Sequence, residues 1–174
     1  FVDGDNVIHA VNDVDLSIPR GNFAALAGPS GSGKSSLVRA GLIPALRAGA
    51  LPGSENWSVA LFTPGRDPMA ELYFQVTRHS PTVSAPVSLE HLFAHPSMAR
   101  HLGGGNRSEH PLLICIDQFE ELFTLSPAAL RTKFVTALSA MTDPADSTVR
   151  IVIAVRADFY AACAQIPWLA ERIT

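Results

Sequence analysis

The sequence predicts an α/β domain in which a mostly parallel central sheet lies between two layers of helices. Three observations favour this class. Strand and helix signals alternate along the chain, one predicted strand is an unbroken apolar run, and a glycine-rich segment joins the first core strand to a helix. The chain has 174 residues, of which 47% are hydrophobic and 17% are charged. It is therefore long enough to bury a sizeable core.

Four core strands are predicted from short apolar runs that are bounded by polar or turn residues. They are Phe23–Ala27, Trp57–Thr63, Leu112–Ile116 and Ile151–Val155. The run Leu112–Ile116 has no polar residue, as expected of a parallel strand that is covered on both faces. A fifth core strand is not evident, so we expect the C-terminal part of the core to be truncated.

Helices are predicted between the strands from apolar residues at helical spacing. Ser36–Leu46 is apolar on nearly every side, so we expect it to be well buried, with a kink or an end at Pro44. The other predicted helices are Pro68–Arg78, Leu89–His101, one that begins at Ser126-Pro127, and Phe159–Ala164. In the helix that begins at Ser126, the residues expected to face the sheet are Leu130, Phe134, Leu138 and Met141.

Residues 1–21 are predicted to form a β extension ahead of the core, which comprises residues 22–174. Val14, Leu16 and Ile18 alternate with polar residues before Pro19, which indicates a half-buried strand. We expect Val7–Val11 to pair with this strand as an N-terminal β-hairpin.

Composition excludes several classes of partner. The net charge of −3 gives no support for binding nucleic acid, and the longest apolar runs are far too short to cross a bilayer. No secretory signal is readable, and two cysteines do not make a disulfide framework, so we expect a cytoplasmic protein. The sequence begins without Met and ends inside a predicted helix, so we expect a fragment of a longer chain.

Residues 28–36 carry the strongest chemical signal. They contain the pattern Gly, four residues, Gly-Lys-Ser, which is a phosphate-binding loop or Walker A motif. Glycines let backbone N–H groups turn towards phosphate oxygens, and the N-terminus of the following helix adds its positive dipole end. We expect Lys34 to reach the β- and γ-phosphates and Ser35 to bind Mg²⁺. The residues predicted to hold the nucleotide are Gly28, Pro29, Ser30, Gly31, Ser32, Gly33, Lys34, Ser35 and Ser36. The alternative is a loop that keeps the fold without binding.

Asp117 follows the buried strand Leu112–Ile116 and is the second nucleotide-associated residue, in the position of a Walker B motif. The carboxyl edge of an open α/β sheet is where ligands bind, and a carboxylate there supports Mg²⁺ beside the phosphate loop. The alternative is that Asp117 only caps the next helix.

Hydrolysis needs a group that orients or deprotonates the attacking water. Gln118, which follows Asp117 directly, cannot act as a base, although a Gln can position water. Glu120 and Glu121 are the candidate bases, with Glu120 favoured, since a helical turn returns them to the face of Asp117. The alternative is that both are solvated carboxylates in the first turn of a helix.

Arg156 closes the fourth strand, where the ends of neighbouring strands converge on the nucleotide. We predict that it contacts the γ-phosphate and so reports whether that group is present. The alternative is a structural ion pair with Asp158 or a nearby Glu.

Four blocks of the chain, in order, resemble the novel STAND NTPases, which are signal-transduction ATPases. The blocks are Gly28–Leu46, Trp57 with Thr63–Pro68, Ile116–Phe123 and Val155–Tyr160. The resemblance implies ATP as the nucleotide and a switch whose slow hydrolysis changes domain packing. It also implies effector domains and repeat sensor domains elsewhere on the parent chain, and nucleotide-dependent homo-oligomers. The acidic pair after Asp117 is similar to the NACHT pattern, which supports Glu120 or Glu121 over Gln118.

The N-terminal segment departs from that family. Residues 7–21 resemble the start of an ATP-binding cassette, yet the chain has no Leu-Ser-Gly-Gly-Gln signature and no Asp-Glu pair after the third strand. Two alternatives to the STAND module therefore stay open. One is a cassette-type ATPase, and the other is a scaffold that binds nucleotide without hydrolysing it.

Overall fold

The structure is a computed structural model that describes residues 2–3, 6–7, 23–79, 88–101, 111–142 and 149–173. Its main sheet has four parallel strands, which are β3 (Phe23–Gly28), β4 (Ser58–Phe62), β5 (Leu112–Ile116) and β6 (Val149–Arg156). Their order across the sheet is β3-β6-β5-β4. All four predicted core strands are confirmed, and each differs from its predicted bounds by no more than two residues at either end.

The α-helices lie between and after these strands. They are α1 (Lys34–Ser36), α2 (Ile43–Arg47), α3 (Pro68–His79), α4 (Leu89–Ala94), α5 (Glu121–Thr124), α6 (Ala128–Thr142), α7 (Tyr160–Ala164) and α8 (Pro167–Ile173). Short 3₁₀ turns precede β4, follow α4 and join β6 to α7. Within the described ranges, no helix combines the length and the hydropathy that crossing a membrane requires.

Successive side chains of β5 point to opposite faces of the sheet, and each face carries its own hydrophobic core. Leu112, Ile114 and Ile116 join the larger core, which includes residues of α3, α4 and α6. Leu113 and Cys115 join the smaller core, which includes Val38, Ile43 and Leu46 from the helix after the phosphate loop. All five residues of β5 are buried, which confirms that both of its faces are covered. The domain therefore has the predicted three layers.

The parallel register brings the carboxyl ends of three strands together. Gly28 at the end of β3 lies opposite Arg156 at the end of β6. Ile116 at the end of β5 lies opposite Ile153 of β6. The segments that follow β3, β5 and β6 therefore leave the sheet at one edge, where ligands of open α/β folds bind.

The helix after the phosphate loop continues past Pro44, so of the two outcomes predicted there, a kink or an end, the end does not occur. It starts as α1, passes through a π-helical turn at Leu37–Leu42 and ends as α2 at Arg47. In the π turn, the Ile43 N–H donates to the Val38 carbonyl five residues back. Pro44 lies directly after the π turn, where the i→i−4 hydrogen-bond ladder is already interrupted.

This helix is also less buried than its composition predicts. Val38, Ile43 and Leu46 are buried against the sheet. Ala40, Pro44 and Ala45 are exposed, so only one face of the helix meets the core. Small apolar residues add little free energy when buried, so their exposure has a low cost.

Proline also changes the predicted helix at Leu89–His101. The segment divides into α4 and a 3₁₀ helix, Pro96–His101. His95 between them has φ −132° and ψ 76°, because proline disfavours the helical region for the residue before it.

The long helix α6 follows the prediction more closely. Phe134, Leu138 and Met141 are buried in the larger core, as predicted, and Leu130 is half-buried. The helix begins at Ala128, directly after the predicted Ser126-Pro127 start.

At the N-terminus, the structure describes only two short strands, β1 (Val2–Asp3) and β2 (Asn6–Val7), which pair antiparallel. The predicted strand at Val14–Ile18, and Val7–Val11 beyond Val7, lie outside the described residues. The division into a β extension at residues 1–21 and a core at residues 22–174 stays a prediction.

Candidate functional site

The phosphate loop joins β3 to the first helix along a backbone path that requires glycine. Gly31 and Gly33 have φ angles of 76° and 85°, in the left-handed region that residues with a Cβ rarely adopt. The helix begins at Lys34, directly after Gly33, so its N-terminal N–H groups lie beside the loop. This local geometry suits an anionic ligand.

Lys34 folds back over its own loop. Its Nζ donates to the carbonyl oxygens of Gly28 and Pro29, both at 2.8 Å, and to Ser32 Oγ at 3.1 Å. The ammonium group is therefore held at the loop, where it neutralises the carbonyl dipoles that point towards it.

A cavity of ≈ 420 Å³ opens beside the loop, within the range of small-molecule sites. It is lined by residues 30–36, by Asp117, Gln118 and Glu120 after β5, and by Ala154 and Arg156 of β6. Most of the predicted site residues thus meet in one cavity. Gly28, Pro29 and Glu121 do not line it. The first two contribute carbonyl groups that hold Lys34.

Asp117 lies at the end of β5 with a side chain that is only 2% exposed. Its Oδ1 accepts from Ser35 Oγ at 2.8 Å and from the Gln118 N–H at 3.0 Å. The Asp117 N–H donates to the Phe62 carbonyl at 2.8 Å, which continues the sheet by one residue. The fold therefore brings together the two predicted metal ligands, which are 82 positions apart in sequence.

Arg39 completes the surroundings of Asp117 and was missed by the sequence reasoning. Its Nε donates to Asp117 Oδ2 at 3.1 Å, and its side chain is 52% exposed. Arg39 lies in the π turn Leu37–Leu42, a class of irregularity that is frequent at functional sites. A charged residue inside an otherwise apolar helix was the available signal.

Gln118 has a strained backbone, with φ 50°. A non-glycine residue in this region costs on the order of 1 kcal/mol or more, and such residues cluster at functional sites. The turn is held by the N–H of the next residue, Phe119, which is buried and donates to the Ala154 carbonyl at 2.8 Å. The strain leaves the exposed Gln118 side chain at the cavity.

The two candidate bases separate in space. Glu120 lines the cavity, and its Oε2 accepts from the backbone N–H of Arg156 at 3.2 Å. Glu121 Oε2 instead accepts from the Gly65 N–H at 3.2 Å, in the loop after β4. Only Glu120 of the pair is therefore positioned to meet a ligand in the cavity.

Arg156 lines the cavity, but its guanidinium is already paired. Nε and Nη2 donate to the two carboxylate oxygens of Asp158 at 3.1 and 2.7 Å. The guanidinium also lies 5.5 Å from the centre of the Phe159 ring. Both roles that the sequence left open for Arg156 are therefore geometrically available, one at the cavity and one with Asp158.

Neither cysteine lines the cavity. Burial, with a smaller contribution from the Asp117 charge, raises the pKa of the Cys115 thiol to about 12. Burial also raises the pKa of Cys163 to about 11, against a smaller lowering by a backbone hydrogen bond. Both thiols are neutral at physiological pH, and a neutral thiol is a poor nucleophile.

The donor set suits Mg²⁺ with a phosphate. The Ser35 hydroxyl and the Asp117 carboxylate present hard oxygen atoms 2.8 Å apart, and Mg²⁺ prefers few protein oxygens together with phosphates and water. No group of three or more His, Cys, Asp or Glu residues able to hold a metal occurs among the described residues. Such a group is not required where phosphate supplies the remaining ligands.

The P-loop NTPase class is defined by a glycine loop between a parallel strand and a helix, together with a buried aspartate that ends a nearby strand and faces a serine of that helix. This chain has both features. The match to the family model described as Novel STAND NTPase 1 then spans residues 5–174. The chain belongs to this STAND family and is a nucleotide-binding NTPase module.

Comparison with a solved structure supports the fold. The ORC2 protein of Aeropyrum pernix, whose structure is described as ADPNP-ADP complexes, superposes with a TM-score of 0.50 at 17% identity. The match covers 88% of this chain and 40% of the ORC2 chain.

Curated relatives with matches to short stretches in the N-terminal part of the chain include two transport proteins. The macrolide export ATP-binding/permease protein MacB of Aggregatibacter actinomycetemcomitans is 53% identical over 38 residues, which are 22% of this chain and 6% of MacB. The glutamate transport ATP-binding protein GluA of Corynebacterium glutamicum is 61% identical over 31 residues, 18% of this chain and 13% of GluA. The resemblance to transport ATP-binding proteins is therefore local, and the chain spans a small part of each relative.

Proposed function

We propose that the chain is the ATP-binding and slowly ATP-hydrolysing switch module of a STAND-type signalling protein of the cytoplasm. The observation that carries this proposal is the contact between Ser35 Oγ and Asp117 Oδ1 at 2.8 Å, beside the phosphate loop. Two residues that distant in sequence share one cavity with Lys34, and their chemistry fits a Mg²⁺–triphosphate.

Most residues of the cavity then have a role. Residues 28–36 hold the phosphates, with Lys34 leaving the Gly28 and Pro29 carbonyls to reach the β- and γ-phosphates. Ser35 and Asp117 would hold Mg²⁺, and the bound ion would stabilise the negative charge that develops on the phosphate during hydrolysis. Glu120 orients the attacking water, and Arg156 contacts the γ-phosphate.

The test is the affinity for Mg²⁺–ATP, measured by titration calorimetry on the parent and on Lys34→Ala. We expect Lys34→Ala to weaken binding by at least tenfold, since a charge-assisted contact is worth roughly 1.5–3 kcal/mol. Lys133→Ala is the matched control, because it removes the same charge from a half-buried lysine of α6 that lies over the Phe93 ring. Equal affinity of Lys34→Ala and the parent would refute the proposal.

The family also supports wider proposals about the parent protein. We propose that nucleotide state controls effector domains and repeat sensor domains elsewhere on that chain, and that it promotes homo-oligomers. Size-exclusion chromatography of the full-length protein with ATP and with ADP tests the second point, and identical elution volumes would count against it.

A second candidate is a scaffold that binds nucleotide without turnover. The favouring observation is that Gln118, which cannot be a base, directly follows Asp117 and lines the cavity. A cassette-type ATPase is supported by the cassette-like pattern of residues 7–21 and by short matches of 31 to 39 residues to transport ATP-binding proteins. The STAND match is far longer, so we prefer it.

A further inference from the structure

The guanidinium of Arg156 is held by a carboxylate of its own chain. Its Nε and Nη2 atoms donate to the two oxygens of Asp158, which form a bidentate fork at 3.1 and 2.7 Å. The pair lies at the surface, with side chains 43% and 57% exposed. The backbone N–H of Arg156 is tied to Glu120, so the main chain is fixed where the side chain leaves β6.

Arg156 lines the cavity together with Lys34 and the phosphate loop, whereas Asp158 is not among the lining residues. A phosphate offers a guanidinium the same pair of oxygens that a carboxylate offers. The edge of Arg156 that donates to Asp158 can therefore serve one of the two acceptors at a time. If the terminal phosphate takes this Nε–Nη2 edge, phosphate binding and closure of the Arg156–Asp158 fork compete.

We propose that Asp158 is a specificity-determining positioning residue, which sets how strongly the site prefers a nucleoside triphosphate over the diphosphate by competing for Arg156. The inference rests on the proposed function, because it assumes that Arg156 reaches the γ-phosphate. An ion pair of this exposure is worth up to about 1 kcal/mol, which corresponds to about fivefold in affinity. Asp158 thus lowers triphosphate affinity by up to about fivefold and leaves diphosphate affinity unchanged.

The experiment measures Kd for a non-hydrolysable Mg²⁺–ATP analogue and for Mg²⁺–ADP on the parent and on Asp158→Asn. We expect the affinity for the ATP analogue to rise three- to fivefold, with no change for ADP. In the Arg156→Ala background, the same substitution should have no effect on either nucleotide. Asp158→Glu keeps the competing charge and should return the affinity ratio towards that of the parent.

Glu171→Gln is the matched control for net charge. Glu171 is an exposed carboxylate paired with Arg172 at 3.6 Å, and it does not line the cavity. The control should leave both Kd values unchanged. Circular dichroism melting curves confirm that each variant is folded, since both acidic positions are exposed.

Three outcomes would overturn the inference. An unchanged ratio in Asp158→Asn, with binding intact, overturns it alone and leaves the proposed function standing. An equal rise for both nucleotides means that Asp158 acts through general repulsion of anions. Binding of neither nucleotide by the parent overturns both this inference and the proposed function.

Discussion

The contact between Arg39 and Asp117 leads to a prediction about stability. Asp117 is a carboxylate with 2% of its side chain exposed, and the Nε of Arg39 at 3.1 Å supplies a positive charge next to it. Arg39→Gln removes that charge and keeps a residue that favours helices. The Ser35 and Gln118 hydrogen bonds to Oδ1 remain, so the variant isolates the loss of the cation.

The magnitude follows from burial. Removing one partner of a fully buried ion pair costs about 3–5 kcal/mol, whereas an exposed pair is worth about 0–1 kcal/mol. Here the carboxylate is buried and Arg39 is 52% exposed, so we expect an intermediate loss of about 2 kcal/mol in the free energy of unfolding. For a domain of this length, that corresponds to a fall in Tm of about 4–8 °C.

The assay is urea unfolding and thermal melting of the nucleotide-free protein. Asp117→Asn in the Arg39→Gln background removes the uncompensated charge, so the double variant should recover more than half of the loss. Arg47→Gln, at the exposed end of α2, is the control and should change the free energy of unfolding by less than about 0.5 kcal/mol. A Tm of Arg39→Gln within 1 °C of the parent, or strict additivity in the double variant, would refute the reasoning.

Three further predictions concern the loop, the water-orienting carboxylate and a buried thiol. A Cβ added at Gly28 would lie 2.7 Å from Ser32 Oγ, so Gly28→Ala should force the Ser32 side chain out of its rotamer, at a cost of about 1 kcal/mol. We expect this cost to weaken Mg²⁺–ATP binding about fivefold. Adding Ser32→Ala should restore affinity in the same titration, and a failure to restore it would exclude the steric cause. Glu120→Gln should slow phosphate release by about a hundredfold while Glu121→Gln leaves it near the parent rate. If Glu121→Gln slows phosphate release more than Glu120→Gln does, Glu121 is the residue that orients the water. If the parent releases no phosphate, the scaffold that binds nucleotide without hydrolysis is favoured. Because burial raises the pKa of Cys115 from 9.0 to about 12, its thiolate is disfavoured in the folded state. The stability that results is complete below pH 9 and is lost as pH rises towards 12, since the unfolded thiol ionises first. Urea unfolding at pH 8 and pH 10 tests the direction, and greater stability at pH 10 would contradict it.

The strands and the phosphate loop could be predicted from the sequence because their signals are local. An unbroken apolar run such as Leu112–Ile116 needs burial on both faces wherever it lies in a fold. The glycines at positions 31 and 33 meet a backbone requirement that no residue with a Cβ meets easily. Proline had different effects at Pro44 and Pro96, because the π turn before Pro44 already interrupts the hydrogen-bond ladder, whereas the residue before Pro96 leaves the helical region.

The partners within the site depended on tertiary structure. From the sequence, Glu120 and Glu121 were both possible positions for the base, with Glu120 favoured. In the structure Glu120 accepts from the Arg156 N–H, whereas Glu121 accepts from the Gly65 N–H. Arg39 carried no motif, and its contact with Asp117 spans 78 positions of sequence. The apolar spacing around Arg39 predicts a regular helix and gives no sign of the π turn.

The sequence by itself determined the class of domain, the phosphate loop and the strand that ends at Asp117. Each follows from hydrophobic periodicity or from the allowed backbone angles of glycine, which act over a few neighbouring residues. Only the tertiary structure decided which side chains share the cavity and which charges are already paired. Those contacts form where strands distant in sequence leave the sheet at one edge, and side-chain direction there is set by packing across the whole domain.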